Sequence, residues 1–362
     1  MSEPAHDGRL RLLVLFGGAS AEHDVSCITA AHVLAAADRT KYELIPVGIT
    51  RDGTWIRNDK AIAALAETTP ALPDALEPAG TEVDPLAEIA GATDRPVVVL
   101  PLLHGPHGED GTVQGMLELS GVPYVGSGVL GSALCMDKGI AKVVAAQFGI
   151  PQCRWIEHRA GTEDRAALVA RTVSELGLPV FVKPANLGSS VGISKAHDET
   201  ELGAAIDLAL RYDEVVVIEE TVTGREIEVA VLGNINPEAS VPGEIRPGSE
   251  FYDYDDKYIN GAAALVIPAD LPKSESDRVR ELASTTFAAM RCSGMARVDF
   301  FYEEGGRGWL LNEVNTIPGF TPASMYPKLW EASGLSYSAL IDRLVDLAVE
   351  RHSLRSGFST DH

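Results

Sequence analysis

Several things this chain lacks narrow what it can be. It has only four cysteines, Cys27, Cys135, Cys153 and Cys292, far apart and with no C-x-x-C pair. That excludes a disulfide framework and leaves each thiol the expected role of a small buried hydrophobe. No apolar run approaches the roughly 20 residues that span a bilayer. Met1 to Asp7 is polar, without the apolar centre of a secretory leader, so a cytoplasmic protein with reduced thiols is expected. Basic residues are also scarce: 30 Lys+Arg stand against 52 Asp+Glu, a formal charge of −22. An excess of acid on this scale repels phosphate backbones and anionic lipid, so nucleic acid and membrane surfaces are excluded as general partners. Any anionic ligand must be held by local cations. The motif G-x-x-x-x-G-K-[ST] is absent as well, which removes the P-loop NTPases.

What is present reads as a folded α/β protein. The 362 residues are 45% hydrophobic, and the length suggests two or three domains of roughly 100–200 residues each. Apolar runs at Leu10–Phe16, Glu43–Ile49 and Val97–Leu103, with a helical stretch over Cys27–Ala37, predict a parallel sheet covered on both faces. Between Arg51 and Arg95 the composition is rich in Ala, Pro, Asp and Glu. It is expected to be a peripheral insert without clear strand alternation that carries no chemistry. Beyond Tyr124 a second α+β unit follows: helices near 137–148, 162–176 and 199–211, and strands near Arg154–Ile156, Val180–Lys183 and Val215–Glu219. The last third predicts strands at Glu226–Leu232, Ala296–Tyr302 and Trp309–Asn315, helices near 275–290 and 336–350, and a long Tyr- and Asp-rich surface loop at Glu244–Gly261.

Two glycine motifs need weighing. Gly126-Ser127-Gly128-Val129-Leu130-Gly131 matches a dinucleotide fingerprint, but it follows a turn-rich segment and no acid lies about 20 residues on. A tight turn leading into a helix is the better reading. Gly188-Ser189-Ser190-Val191-Gly192 matches a nucleophile elbow with Ser190 as the nucleophile. No histidine supports that reading, because His197 is too close in sequence and His352 and His362 lie at the chain's end. A loop whose backbone N–H groups cradle phosphate, with Lys183 supplying positive charge, is favoured.

The sharpest chemistry lies in the last third. In Asn312-Glu313-Val314-Asn315 the strand period places Glu313 and Asn315 on one face, and Asp299 can join them from a neighbouring strand. An all-oxygen set without His or Cys suits Mg²⁺. Arg297, two residues before Asp299, shares its face and can neutralise developing negative charge. At the other end Gly17–Glu22 follows the first strand, and His104-Gly105 ends the third, where ligands bind in open α/β sheets.

Together these segments resemble the D-alanine:D-alanine ligases of the ATP-grasp superfamily. The resemblance rests on Gly17–Glu22 with Val25-Ser26, His104-Gly105 with Gly108–Thr112 and Gln114-Gly115, and Met136-Asp137-Lys138 with Lys142. It continues through Val182-Lys183-Pro184 with Gly188–Gly192, Tyr252-Asp253-Tyr254 with Lys257-Tyr258, Arg297-Val298-Asp299, and Asn312–Thr316 with Pro318-Gly319. These blocks run in order along nearly the whole chain.

The resemblance implies an ATP-grasp fold in three parts. These are a Rossmann-like parallel-sheet substrate domain at 1–131 with the insert at about 51–95, a central ATP-binding subdomain at 132–223 and a C-terminal catalytic subdomain at 224–362. It implies an enzyme that joins two D-alanines for peptidoglycan through a D-alanyl phosphate, with ATP and two Mg²⁺ ions, for which Mn²⁺ can substitute. Lys138, Lys183, Ser189, Ser190 and Asn312 would serve ATP, Glu219, Glu220 and Val222 would edge the adenine, and Glu226 would hold the ribose. In related enzymes a lysine and an aromatic often occupy positions that here look like Glu220 and Thr221. Asp299, Glu313 and Asn315 match the family's metal ligands. Glu22, hydrogen-bonded through Ser189 to Tyr258, would hold the first alanine's ammonium, with His104 also binding substrate. Ser324 and Lys257 would take the second alanine's carboxylate, and Arg297 with the Gly319 N–H would stabilise the oxyanion. Tyr258 resembles members that form the dipeptide; the alternatives are D-lactate or D-serine as acceptor, a serine hydrolase using Ser190, or an inactive nucleotide-binding module. A homodimer is the expected assembly.

Overall fold

The structure is a computed structural model that describes residues 8–67, 71–90, 95–188, 191–246 and 264–359. The first sheet contains β1 (Leu10–Gly17), β2 (Tyr42–Ile49), β3 (Trp55–Arg57), β4 (Thr81–Glu82) and β5 (Val97–Pro101). Its five strands lie in the order β4-β3-β2-β1-β5, with β1 parallel to both β2 and β5. Residues Leu12–Phe16 are wholly buried, as the continuous apolar run requires of a central strand covered on both faces. Helices α1 (His23–Ala36), α2 (Asp59–Ala66), α3 (Pro85–Ala90) and α4 (Thr112–Leu119) belong to this part of the chain. The stretch 51–95 therefore differs from expectation, because β3 and β4 extend the sheet antiparallel from β2. Short strands with no apolar alternation leave little signal of their own.

After α5 (Val129–Met136) and α6 (Lys138–Gln147) comes a four-stranded antiparallel sheet of β6 (Trp155–Arg159), β7 (Val180–Pro184), β8 (Ser194–Ala196) and β9 (Val215–Glu220), in the order β6-β9-β7-β8. Its helices, α7 (Arg165–Glu175) and α8 (Glu199–Ala209), start at Asp164 and Asp198, whose side chains accept the N–H groups of Ala167 and Glu201. Such caps satisfy donors that the first helical turn leaves free. The third sheet has six strands, β10 (Arg225–Gly233), β11 (Glu238–Ala239), β12 (Gly243–Arg246), β13 (Ala264–Val266), β14 (Gly294–Glu303) and β15 (Gly308–Asn315). Helices α9 (Lys273–Ala289), α10 (Met325–Ala332) and α11 (Tyr337–Ser356) accompany it. Glu244–Arg246, expected in a surface loop, form β12 and pair with β10 and β13; residues 247–263 lie outside the described residues.

The sheets are tied across the chain. Leu340, Ile341 and Leu344 of α11 share one core with Leu12, Val14 and Phe16 of β1, and Lys41 Nζ and Tyr42 OH donate to Asp342 at 2.6 and 2.8 Å. Helices α5 and α6 send Cys135 and Ala145 into the core of the third sheet beside Phe287 and Val298. There Cys135 Sγ approaches Cys292 Sγ to 3.6 Å, although 157 residues separate them; all four cysteines are free and buried. Gly126 has φ +97°, and Gly128 precedes α5, so this glycine run is a turn into a helix.

Candidate active site

The antiparallel register of β14 and β15 sets Arg297 opposite Asn315 and Asp299 opposite Glu313. Alternation along each strand then puts these side chains on one face. Arg297 Nε and Nη2 donate to Asp299 Oδ1 and Oδ2 at 2.8 and 2.7 Å, and Asn315 Nδ2 donates to Oδ2 at 2.8 Å. Glu228, opposite Asp299 on β10, adds an ion pair to Arg297 at 3.0 Å. Burial opposes the guanidinium's charge, but Asp299 and Glu228 outweigh it and hold its pKa well above the ordinary value. Immediately beyond Asp299 the register shifts, so Phe300 faces Leu311 and Asn312 becomes the extra residue of a bulge. Asn312 Oδ1 is buried with no partner among the described residues, and the residue lines the adjoining cavity.

That cavity, of about 470 Å³, lies between the second and third sheets and is lined among others by Lys183, Thr221, Val222, Glu226, Asp299 and Glu313. Lys183 on β7 donates to Glu219 Oε2 at 2.7 Å, and the buried Lys142 of α6 pairs with Oε1 at 2.9 Å. Burial pushes the Glu219 carboxyl up, but the two ammonium groups prevail and bring it down to about 2. The Glu219 side chain is thus a counter-ion for two lysines, and its backbone stands in register between Trp155 of β6 and Phe181 of β7. Glu220 is likewise engaged, by Arg154 Nε at 2.7 Å and by Arg307. Lys138 opens α6 after its Asp137 cap and donates to Leu187 O at 2.5 Å; burial pulls its pKa down, opposed by the charge of Glu313. Glu313 also acts on Lys183 and Arg297, so one carboxylate sits at the centre of the site's cations.

At the carboxyl end of the first sheet, Gly17 has φ +87°, and a Cβ there would lie 2.3 Å from Ile49 O. Only glycine makes that turn. Ser26 Oγ accepts from Gly17 N at 2.8 Å and donates to Leu102 O at 2.5 Å, tying the ends of β1 and β5. Glu22 is buried and makes no capping bond to α1; its Oε2 lies 3.1 and 3.2 Å from where Cβ atoms on Gly105 and Gly188 would stand. The carboxylate therefore faces the junction of those two loops. His104 Nδ1 is 3.1 Å from Ile317 O, and Nε2 is buried without a partner among the described residues; burial lowers its pKa against the pull of Glu22. Glu109, beside it, is pushed up to about 8 by burial and by Glu22. Farther along, a Cβ on Gly319 would lie 3.1 Å from Ser324 Oγ, and Ser324 immediately precedes α10.

The structure thus gathers Arg297, Asp299, Glu313 and Asn315 on one face, Lys183, Val222 and Glu226 around the adjoining cavity, and Gly319 with Ser324 beyond it. Ser189, Ser190, Lys257 and Tyr258 lie outside the described residues. Lys142, Glu228 and Glu109 were not assigned roles by sequence reasoning. Lys142 could have been, since it falls four residues after Lys138 on the same helix face. Among the described residues no group of three or more His, Cys, Asp or Glu is arranged for a metal; the donor set here is two carboxylates and an amide. Among the described residues no helix is long and apolar enough to cross a membrane.

The family described as D-ala D-ala ligase N-terminus matches residues 11–127, and its C-terminal counterpart matches residues 144–346. The chain belongs to the D-ala D-ala ligase family. It is 46% identical to a D-alanine--D-alanine ligase of Acetivibrio thermocellus, with 95% of this chain and 96% of that protein covered. It is 47% identical to D-alanine--D-alanine ligase A of Bradyrhizobium diazoefficiens over 97% of this chain and 99% of the other. The solved D-alanine-D-alanine ligase of Coxiella burnetii matches with a TM-score of 0.79 at 36% identity, covering 96% of each chain. The VanG D-Ala:D-Ser ligase of Enterococcus faecalis matches with a TM-score of 0.81 at 35% identity, over 94% of this chain and 99% of the other. The family and the ATP-grasp fold inferred from the ordered motifs are therefore correct.

Proposed function

We propose that the protein joins two D-alanine molecules into D-alanyl-D-alanine for peptidoglycan precursors, converting ATP to ADP and phosphate. One observation carries this reading: Arg297, Asp299, Glu313 and Asn315 share a face at a cavity that Lys183 also lines, in a chain of this ligase family. A carboxylate is a poor acyl donor, so the γ-phosphoryl group first passes to the carboxylate of one alanine and the amine of the second then displaces phosphate. Lys138 and Lys183 would bind the phosphates, together with the backbone of the Ser189–Ser190 loop, and the 219–222 edge and Glu226 would take the nucleoside. Glu22 and His104 would orient the first alanine, and Ser324 and Lys257 the second. Arg297 and the Gly319 N–H would oppose the charge of the tetrahedral oxyanion.

The donor chemistry fits Mg²⁺, or Mn²⁺ in its place: oxygen ligands only, too few to enclose an ion, as expected where phosphate oxygens complete the shell. Asp299, Glu313 and Asn315 would hold one or two such ions, which supply neutralising charge to the transferred phosphoryl group. The functional division is taken at 1–131, 132–223 and 224–362, and the setting as a cytoplasmic homodimer acting on small molecules. The VanG likeness makes D-serine the acceptor to test against D-alanine, with D-lactate as a further comparison, and the tyrosine at 258 supports the dipeptide. Phosphate release from ATP and Mg²⁺ should need D-alanine, and D-alanine alone should outrun mixtures with D-serine or D-lactate. Nucleotide binding without D-alanine-dependent turnover would instead support an inactive module.

A further inference from the structure

The side chain of Glu109 joins two loops distant in sequence. Its Oε2 accepts the Gly105 N–H at 2.7 Å, closing the turn after β5, and its Oε1 accepts the Ile317 N–H at 3.3 Å, 208 residues away in the turn after β15. The other polar end of Ile317, its carbonyl oxygen, is met by His104 Nδ1 at 3.1 Å. One residue of the second turn is therefore gripped on both sides by the first, and Gly319 follows two positions later. The grip has a rigid base. Glu109 N–H donates to Gly105 O at 2.9 Å, Gln114 Nε2 donates to Gly108 O at 2.8 Å, and a Cβ on Gly108 would lie 2.6 Å from Leu103 O. Among the described residues, the charged groups that bear most on this carboxyl are Glu22 and Glu313, both carboxylates. A third acid placed among two others is electrostatically unfavourable unless its acceptor oxygens are used.

We infer that Glu109 is a positioning residue for the ligation: it clasps the His104–Gly105 turn to the Ile317–Gly319 turn, so that His104 and the Gly319 N–H meet the reacting carbonyl in a fixed relation. The inference rests on the ligase reading above. It places Glu109's effect in the chemical steps and leaves nucleotide binding alone, because both hydrogen bonds go to the Gly105 and Ile317 N–H groups and neither touches a residue assigned to ATP.

The test uses the full-length chain carrying Glu109→Gln or Glu109→Ala, assayed for phosphate release and, with hydroxylamine as the trap, for D-alanyl hydroxamate. Displacing a reacting group by about 1 Å costs roughly 100-fold in rate. Glu109→Ala is therefore expected to lower kcat by about that factor with KM for ATP within about twofold of the parent. Glu109→Gln keeps one acceptor and should lie between. Hydroxamate yield per ADP should rise in both, as the phosphorylated alanine waits longer for a misplaced acceptor. Unchanged kcat in both variants overturns the inference, as does a parallel loss of kcat, ATP affinity and thermal midpoint in Glu109→Gln. Failure of the unsubstituted protein to release phosphate with D-alanine overturns the ligase reading itself.

Discussion

Arg297 grips both oxygens of Asp299 from two residues away on the same strand, Nε to Oδ1 at 2.8 Å and Nη2 to Oδ2 at 2.7 Å. The fork matches the carboxylate's geometry, as a lysine's single ammonium cannot. It gives Asp299 its orientation and leaves a cation beside any charge that develops there. Arg297→Lys should keep the charge and lose the fork. Loss of one oxyanion donor costs about 10²–10³-fold in kcat, and a drop of that size is expected. The Mg²⁺ concentration for half-maximal rate should not increase, because the Asp299 oxygens are released from their competitor. A magnesium titration of D-alanine-dependent phosphate release checks both halves.

Glu313 carries a different kind of prediction, since its charge acts on Lys138, Lys183 and Arg297 together. Glu313→Gln preserves the shape of β15 and removes that charge. Turnover is expected to fall by roughly 10²–10³-fold, the scale of a lost electrostatic element, with the far-ultraviolet dichroism unchanged. Retained activity with the parent's Mg²⁺ dependence sinks the assignment of Glu313 as a metal ligand.

These two sites were legible in the sequence because a strand period and a short separation suffice to place them. Glu313 and Asn315 lie two apart, as do Arg297 and Asp299, and apolar neighbours identify both strands. The register that sets Asp299 opposite Glu313 was not legible, nor was the bulge at Asn312, since both depend on the pairing of two strands joined by a turn of unmarked geometry. Glu219 shows the limit more sharply. The resemblance implied that Glu219 edges the adenine, and its pairing with Lys142 and Lys183, contributed by α6 and β7, had no local signal. Likewise, no local pattern foretold that α11 would cover the first sheet, because its buried Leu340 and Leu344 find their partners some 330 residues upstream at Leu12 and Val14. Long-range packing decides such contacts.

Glu219 also governs an acid-sensitivity prediction. Its folded pKa, about 2, lies below the ordinary value of 4.5. A depressed acid contributes stability that is complete above the unfolded value and disappears as pH falls through the folded one. The urea midpoint of the parent should therefore decline as pH falls from 4.5 toward 2. Glu219→Gln should be less stable at neutral pH, where Lys142 and Lys183 lose their shared counter-ion, and should show a flatter decline over that window. Parallel pH profiles for parent and variant would count against the lysine pairing.

Ser324 separates binding from folding. Its Oγ accepts the Thr321 N–H at 3.1 Å and lies 2.9 Å from Thr321 Oγ1. It precedes α10 without making a side-chain capping bond to that helix. The hydroxyl's proton can turn from Thr321 Oγ1 to a carboxylate at the start of the helix, where exposed N–H groups and the helix dipole favour negative charge. Removing the hydroxyl takes nothing from the cap but deprives the Thr321 N–H of its acceptor, so Ser324→Ala should lower the thermal midpoint only slightly. A hydrogen bond to a charged group contributes about 1.5–3 kcal/mol, and each 1.4 kcal/mol is tenfold in binding. The KM for D-alanine as acceptor is accordingly expected to rise roughly 10- to 100-fold, with KM for ATP unchanged. Steady-state kinetics across D-alanine concentrations resolve the two alanine sites, because the effect should fall on the weaker phase. A rise confined to the ATP term, or a loss of thermal stability with no change in either alanine term, would remove Ser324 from the acceptor site.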